Sequence, residues 1–407
     1  MSKTDILLLN RSFWPDTEGT GQNLTELCKG LAARYKVRVI CGRSYYIGKD
    51  GFKLFQLYKR EIFAGIEIFR VRHTRFWKAN LIGRLLNWLT YTLLTFFLTL
   101  AVKTRVIVVC TDPPFLGLVA MCIRFLKGVP YIYNCRDLYP DVAWGLGRLG
   151  RHSLLGLLFD YLNKEALHKA TFVVPLGESM AKRLINKGIS NNNIRVIPNY
   201  VDTSKIEPVA RDNNHILEKF GLKDKFVAMY SGNLGLSQDF SLILKAAAKF
   251  NDDPSFYLVF IGNGVSKEPL KEEARLLGLK NILFLPYQPQ EELSFSLSMA
   301  SLHLVPLKKG LTGTIIPGKV YSIMAAGRPY LALSDRESEP SRLAREYGCG
   351  LCAEPEEVNS ITDSLKWALQ HKQELEEMGR KARCVAETKF DKNIVIKQWF
   401  ALLSDVC

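Results

Sequence analysis

Short, nearly unbroken apolar runs alternate with segments of helical period along the whole chain. In the first half the runs fall at residues 6–10, 37–41, 66–71, 106–110, 131–135, 172–175 and 195–198. In the second they fall at 226–231, 256–261, 282–285, 302–306, 330–333 and 350–353. Runs without polar alternation, separated by helices, predict parallel strands covered on both faces. Right-handed crossovers then give two doubly wound, Rossmann-like α/β domains whose ligands lie beyond the carboxyl ends of the strands. Two such sheets facing one another imply an interdomain cleft. The turn-rich stretch VIPNYVDTSKIEP places the boundary near 199–208, giving domains at 1–203 and 204–387. The closing FDKNIVIKQWFALL predicts an amphipathic helix, about 388–407, that returns to the first domain.

One segment breaks the pattern. Residues 85–102, LLNWLTYTLLTFFLTLAV, carry no charge over eighteen positions. That length would allow a membrane span, but the segment lies between two strands of one sheet, so spanning would tear the domain apart. Burial as a crossover helix is one reading. Arg75, Lys78 and Arg84 before it and Lys103 and Arg105 after it favour another, a helix lying in a membrane interface with Trp88 at its polar edge.

The 407 residues are 47% hydrophobic and 23% charged, as in an ordinary globular protein. Charge is uneven. Residues 1–200 hold 29 Lys+Arg against 13 Asp+Glu, and residues 201–407 hold 26 against 27. The basic half suits nucleic acid, anionic lipid or a phosphorylated ligand, and no nucleic-acid motif accompanies it. The nine cysteines show no framework spacing, which favours a reducing compartment. The one CxxC, Cys349 with Cys352, reads as structural. Strand-like DILLLN opens the chain almost at once, leaving no room for a signal peptide.

Candidate chemistry collects at strand ends. ASLHLVPLKKGLTGTIIPGKVYSIMAAGRPYL reads as strand, glycine-rich basic loop, short helix and strand. Pro317 suits the first turn of that helix, Gly327 its end, and Pro329 bars continuation. A glycine-rich loop opening a helix suits a phosphate, with Lys308, Thr312, Gly313, Thr314, Gly318 and Lys319 as candidate contacts. Gly19, Thr20 and Gly21 form a second strand-to-helix cradle. YIYNCRDLYPDVAWGLG gathers Arg136, Asp137 and Asp141, with Tyr139 and Trp144 as flat surfaces for a sugar or lipid. Asp137 could accept a hydroxyl proton or orient an acceptor; an ion pair or a helix cap would explain it equally well. Asn233 in SGNLGLSQDF, Tyr287 after FLP and Ser322 one turn beyond Lys319 complete the set. No metal-ligand spacing appears, so no metal or other cofactor is expected.

These motifs, above all IIPGKVYSIMAAGRP with its Ala-Ala-Gly-x-Pro turn, resemble the GT-B-fold retaining glycosyltransferases of family 4. Within that family they are most similar to bacterial enzymes building O-antigen, capsule and exopolysaccharide, the N-acetyl-fucosamine transferases among them. The resemblance implies a nucleotide-sugar donor, commonly UDP-linked, on the second domain and an acceptor on the first. It implies that Gly19–Gly21 touch the donor, that Asp137 lies near the reacting centre and that Gly313, Gly318 and Lys319 hold the diphosphate. Tyr287 would then lie near the base and Ser322 near the ribose. Typical members place two glutamates where this chain has Thr314 and Ser322, and a basic pair where it has Asn233 and Gln238.

The expected activity is metal-independent hexosyl or N-acetylhexosaminyl transfer, with retention, to a lipid-diphosphate-linked saccharide. The expected location is the cytoplasmic face of the inner membrane, on an anionic surface, without nucleic acid. A non-catalytic nucleotide-sugar-binding assembly subunit and a soluble UDP-sugar 2-epimerase on the same fold are the alternatives.

Overall fold

A computed structural model describes residues 4–16, 19–44, 52, 55–76 and 81–406 of the chain. It divides into two compact units, Met1–Pro198 with Val395–Cys407, and Asn199–Ile394. Lys78 lies outside the described residues.

The first unit holds a seven-stranded sheet of β1 (Asp5–Leu9), β2 (Lys36–Cys41), β3 (Tyr58–Phe63), β4 (Ile66–Val71), β5 (Val106–Val109), β6 (Tyr131–Cys135) and β7 (Phe172–Pro175). Their order is β3-β4-β2-β1-β5-β6-β7, and only the β3–β4 pair is antiparallel. The helices are α1 (Gly19–Leu31), α2 (Leu81–Ala101), α3 (Leu116–Lys127), α4 (Asp141–Gly145), α5 (Leu154–His168) and α6 (Glu178–Asn186). The central strands β1 and β5 are buried at nearly every position, which is why they read as unbroken apolar runs.

Two details differ from the sequence expectation. β3 is an additional strand, joined to β4 through Ala64 and Gly65, both at positive φ (49° and 77°). The run at 195–198 does not form a strand. Ile194 makes one bridge to Val173, Arg195 and Ile197 each donate one backbone bond to β7, and Pro198, with no N–H, ends the pairing.

The second unit holds a parallel six-stranded sheet of β8 (Phe226–Ser231), β9 (Phe256–Ile261), β10 (Ile282–Leu285), β11 (Leu302–Pro306), β12 (Tyr330–Leu333) and β13 (Gly350–Ala353). Their order is β10-β9-β8-β11-β12-β13. Helix α7 (His215–Lys219) precedes them; between them run α8 (Ser241–Ala247), α9 (Lys267–Leu276), α10 (Leu293–Ser298), α11 (Lys319–Ala325) and α12 (Glu339–Tyr347); α13 (Val358–Gln370), α14 (Lys372–Lys389) and α15 (Lys392–Ser404) follow. Phe240, Phe256, Phe260, Leu302 and Leu331 centre one core on this sheet. Each such side chain contributes about 1.5–3 kcal/mol by leaving water.

The chain passes between the units twice, and the outgoing and returning segments are paired within the second unit. Val201 N–H donates to Phe390 O (3.0 Å) and Lys392 N–H to Val201 O (2.8 Å). The last turns of α15 then pack on the first unit. Ile396 fills the space over Gly30, and Phe400 lies under the Arg34 guanidinium at 4.4 Å.

Helix α2, uncharged beyond Arg84, is turned inside out. Its buried face is polar: Asn87, Tyr91, Thr95 and Thr99. Asn87 accepts from Phe76 N–H (3.0 Å) and donates to Phe76 O (3.0 Å), while Tyr91 donates to Ile40 O (3.1 Å). Its exposed face carries Leu85, Leu89, Leu93 and Phe97. Complete burial is therefore not what this segment does. Among the described residues no helix is long and apolar enough to cross a membrane.

Candidate functional site

In the second unit the loops leaving β8, β9, β10 and β11 carry the candidate donor contacts at the carboxyl ends of parallel strands. The first two loops are locked together. Gly232 N–H donates to Ile261 O and Leu234 N–H to Asn263 O, both at 2.9 Å. A Cβ on Gly262, whose φ is 141°, would stand 2.0 Å from Gly232 O, so only glycine fits. The loop after β11 joins them through Lys308 N–H, which donates to Ser237 O (2.9 Å).

Lys319 opens α11, and its ammonium group points back to this cradle. Nζ is buried without a hydrogen-bond partner, 3.4 Å from the centroid of the Tyr230 ring. A Cβ on Gly232 would be 3.0 Å from it. Loss of hydration holds the lysine well below its ordinary pKa. Tyr230, whose hydroxyl donates to Asn233 O at 2.5 Å, thus fixes both the loop and the lysine. As the penultimate residue of an apolar strand, it had no sequence signal separating it from core.

The other candidates fall into different situations. Asn233 is exposed at the rim of the β8 loop and Tyr287 is exposed just beyond β10. Ser322 is half-buried one turn into α11. Thr312 Oγ1 donates to Asp335 Oδ2 (2.6 Å), a partner after β12 that the sequence reading missed. Gly313, at φ 71°, forms the turn before Thr314. Thr314 is fully buried and its hydroxyl donates to Leu311 O within its own turn (2.7 Å). That side chain offers nothing to a ligand. Gly318 is exposed, and Lys309 pairs with Glu356 on the surface.

In the first unit the strand ends bring a second set together. Arg11 after β1 pairs with Asp112 after β5 (3.1 Å). Asp137 N–H donates to Thr111 Oγ1 (3.1 Å), and desolvation, opposed by Arg136 and reinforced by Asp112, pushes the Asp137 carboxyl up to about 6. Gly19 and Thr20 begin α1 with Gly19 exposed, while Gly21 is buried; a Cβ there would lie 2.8 Å from Ser12 Oγ. Asp141 belongs elsewhere: it is buried between Arg183 (3.0 Å) and Lys187 (2.7 Å), a structural knot. Trp144 lies under Lys187 at 5.5 Å and Arg151 at 5.9 Å. Tyr139 stacks on Phe159. Arg75 precedes α2, and Arg84 lies in its first turn, over the Trp88 ring at 5.4 Å.

The chain matches the family model "Glycosyl transferase 4-like domain" over residues 18–200 and "Glycosyl transferases group 1" over 212–385. It is 28% identical over 411 residues to the protein named as the colanic acid biosynthesis glycosyl transferase WcaI of Escherichia coli K12, covering 97% of this chain and 98% of that one. Among solved structures, sucrose-phosphate synthase of Thermosynechococcus elongatus superposes with a TM-score of 0.78 at 15% identity, covering 99% of each chain. Anabaena HepE in complex with UDP-glucose gives 0.72 at 16% identity over 98% of this chain and 99% of that one. Both units are thus matched by glycosyltransferase models, and the chain belongs to the GT-B-fold glycosyltransferases of family 4.

Proposed function

We propose that this glycosyltransferase moves a sugar from a UDP-linked donor, an N-acetylated amino sugar being one candidate, to a lipid-diphosphate-linked saccharide in bacterial surface polysaccharide assembly. The observation that carries the donor half is Lys319, a buried cation without a hydrogen-bond partner beside a locked glycine cradle. A buried ammonium is costly unless an anion completes it. The diphosphate of a nucleotide sugar is such an anion, and the solved HepE complex holds UDP-glucose. The polysaccharide half rests on the likeness to WcaI.

The leaving diphosphate is stabilised by Lys319, with Lys308 and the loop amides in support, and needs no metal. Asp137 lies near the acceptor, and the anomeric configuration is retained by front-face displacement. The exposed leucine face of α2 and the basic residues beside it hold the enzyme at the cytoplasmic face of the inner membrane.

A thermal-shift series of UDP, GDP, TDP and CMP, each with and without EDTA, tests the reading. A ligand that binds only the native state raises its melting temperature. A rise with UDP that survives EDTA supports it. No rise with any nucleotide would favour a non-catalytic assembly subunit, and a rise lost with EDTA would defeat metal independence.

A further inference from the structure

The leucines of α2 are not the only exposed apolar surface on the first unit. Helix α5 begins LLGLLFDYL, and Leu154 and Leu155 are 83% and 72% exposed; Leu158 and Tyr161 on the next turns are exposed as well. A single exposed leucine needs no explanation, whereas a contiguous set marks a contact surface. Right-handed crossovers place α2, α3 and α5 on one face of the sheet. A row of rings joins the outer two: Trp88 of α2 meets Phe115 at 6.3 Å, and Phe115 meets Phe159 of α5 at 5.0 Å. Along the helices, exposed Leu85 and Leu89 stand within about one turn of Trp88, and exposed Leu155 and Leu158 within about one turn of Phe159.

The approach to α5 is basic. Arg148 and Arg151 are exposed in the loop GRLGRHS, which folds tightly onto the helix start because Gly156 leaves room for Gly150 O, and Ser153 caps the helix. The acidic residue nearest to these leucines along the chain, Asp160, is paired with Lys164 (2.7 Å) and Lys187 (2.8 Å). Cationic rim, leucine tip and paired acid match an anionic bilayer, with arginines at the headgroups and leucines among the acyl chains. Two copies meeting through this patch would bring two sets of Arg148 and Arg151 into one interface while Asp160 is already paired, so a second copy is disfavoured.

We infer that the start of α5 is a second bilayer contact, which together with α2 docks the first unit at two points and so fixes its orientation on the membrane. This rests on the membrane location proposed above.

The test uses the full chain and phosphatidylethanolamine vesicles with and without phosphatidylglycerol. Wild-type protein should bind the anionic vesicles. The variant L154S/L155S/L158S should bind at least about tenfold more weakly with an unchanged melting temperature, since the replaced side chains are exposed. Arg148→Glu with Arg151→Glu should remove most of the preference for phosphatidylglycerol. Equal binding by wild type and the leucine variant, alongside loss of binding by a Leu85→Ser/Leu89→Ser variant of α2, would overturn the α5 contact and leave the membrane location standing. Failure of the wild type to bind any vesicle would defeat both. A wild-type dimer by light scattering that becomes monomeric in the leucine variant would give the patch to a second copy instead.

Discussion

The ammonium group of Lys319 rests 3.4 Å from the centre of the Tyr230 ring, with no hydrogen-bond acceptor. An aromatic face supplies part of what a cation loses on burial, roughly 2 kcal/mol in a desolvated site, but not a full charge. Binding readiness is thus held at the expense of stability. Lys319→Met should raise the unfolding free energy by about 1–3 kcal/mol and abolish the thermal shift with UDP. Lys319→Ala should lower transfer about 10²–10³-fold. Unaltered UDP binding in either variant would remove Lys319 from the diphosphate site.

The same lysine should make donor binding depend on protons. Desolvation lowers its proton affinity in the free protein, and an adjacent diphosphate would raise it again. At any pH between its lowered value in the free protein and its restored value in the complex, UDP binding should therefore take up protons. Calorimetric enthalpies in phosphate and Tris, whose ionisation heats differ, would reveal the uptake; identical enthalpies would rule it out.

Asp137 should set the acid limit of transfer. Its carboxyl, raised to about 6 mainly by desolvation, becomes protonated below that pH, so the rate should fall there. Asp137→Asn should lose this inflection and about 10²–10⁴ in rate. A raised carboxyl favours the fold below the ordinary aspartate value, an advantage lost as pH rises through about 6. Urea midpoints of the asparagine variant should accordingly exceed those of wild type at pH 7 and approach them at pH 4.

His303 governs the opposite slope. Its Nε2–H donates to Leu297 O (2.9 Å) in a fully buried site, and burial pushes its pKa down to about 3. The unfolded chain takes up this proton near 6.5, whereas the fold resists until about 3. Stability contributed by neutral His303 is present above 6.5 and lost as pH falls between those values. His303→Gln should flatten that part of the stability profile measured by urea unfolding.

The two positions that lack a glutamate should respond unlike each other. Ser322 is half-buried on α11, so Ser322→Glu should fold normally and tighten UDP binding, by about fivefold for one added charge-assisted hydrogen bond. Thr314 is sealed in its own turn. Thr314→Glu would bury an unpaired carboxylate and cost roughly 3 kcal/mol or more, read as a fall in melting temperature.

The strands were legible because β1, β5, β8 and β11 are covered on both faces and their sequences contain little else but apolar residues. β3 was not, because YKREIF is an edge strand whose positions alternate between exposed and half-buried. Its turn also uses Ala64-Gly65 rather than the Asn-Gly or Asp-Gly that announces two residues at positive φ. At the site, glycines and Lys319 stood out by spacing along the chain. Tyr230 and Asp335 did not, since their part depends on which loops the sheet order brings together. The apolar face of α5 escaped for a related reason: LLGLLFDYL has the composition of a core helix, and only the packing of α3 and α5 shows which leucines are left outside.

The double passage of the chain between units has a consequence for biosynthesis. Residues emerge from the ribosome in order, and the first sheet is complete long before α15 exists. Until Ile396 arrives, the surface of α1 around Gly30 stays open to water. The second unit needs nothing later than Ile394. Although encoded first, the N-terminal unit is thus the last to be finished, and a nascent chain stalled near its end would carry a closed second unit and an unsealed first one. Cutting the gene at the boundary would reproduce that unfinished state permanently.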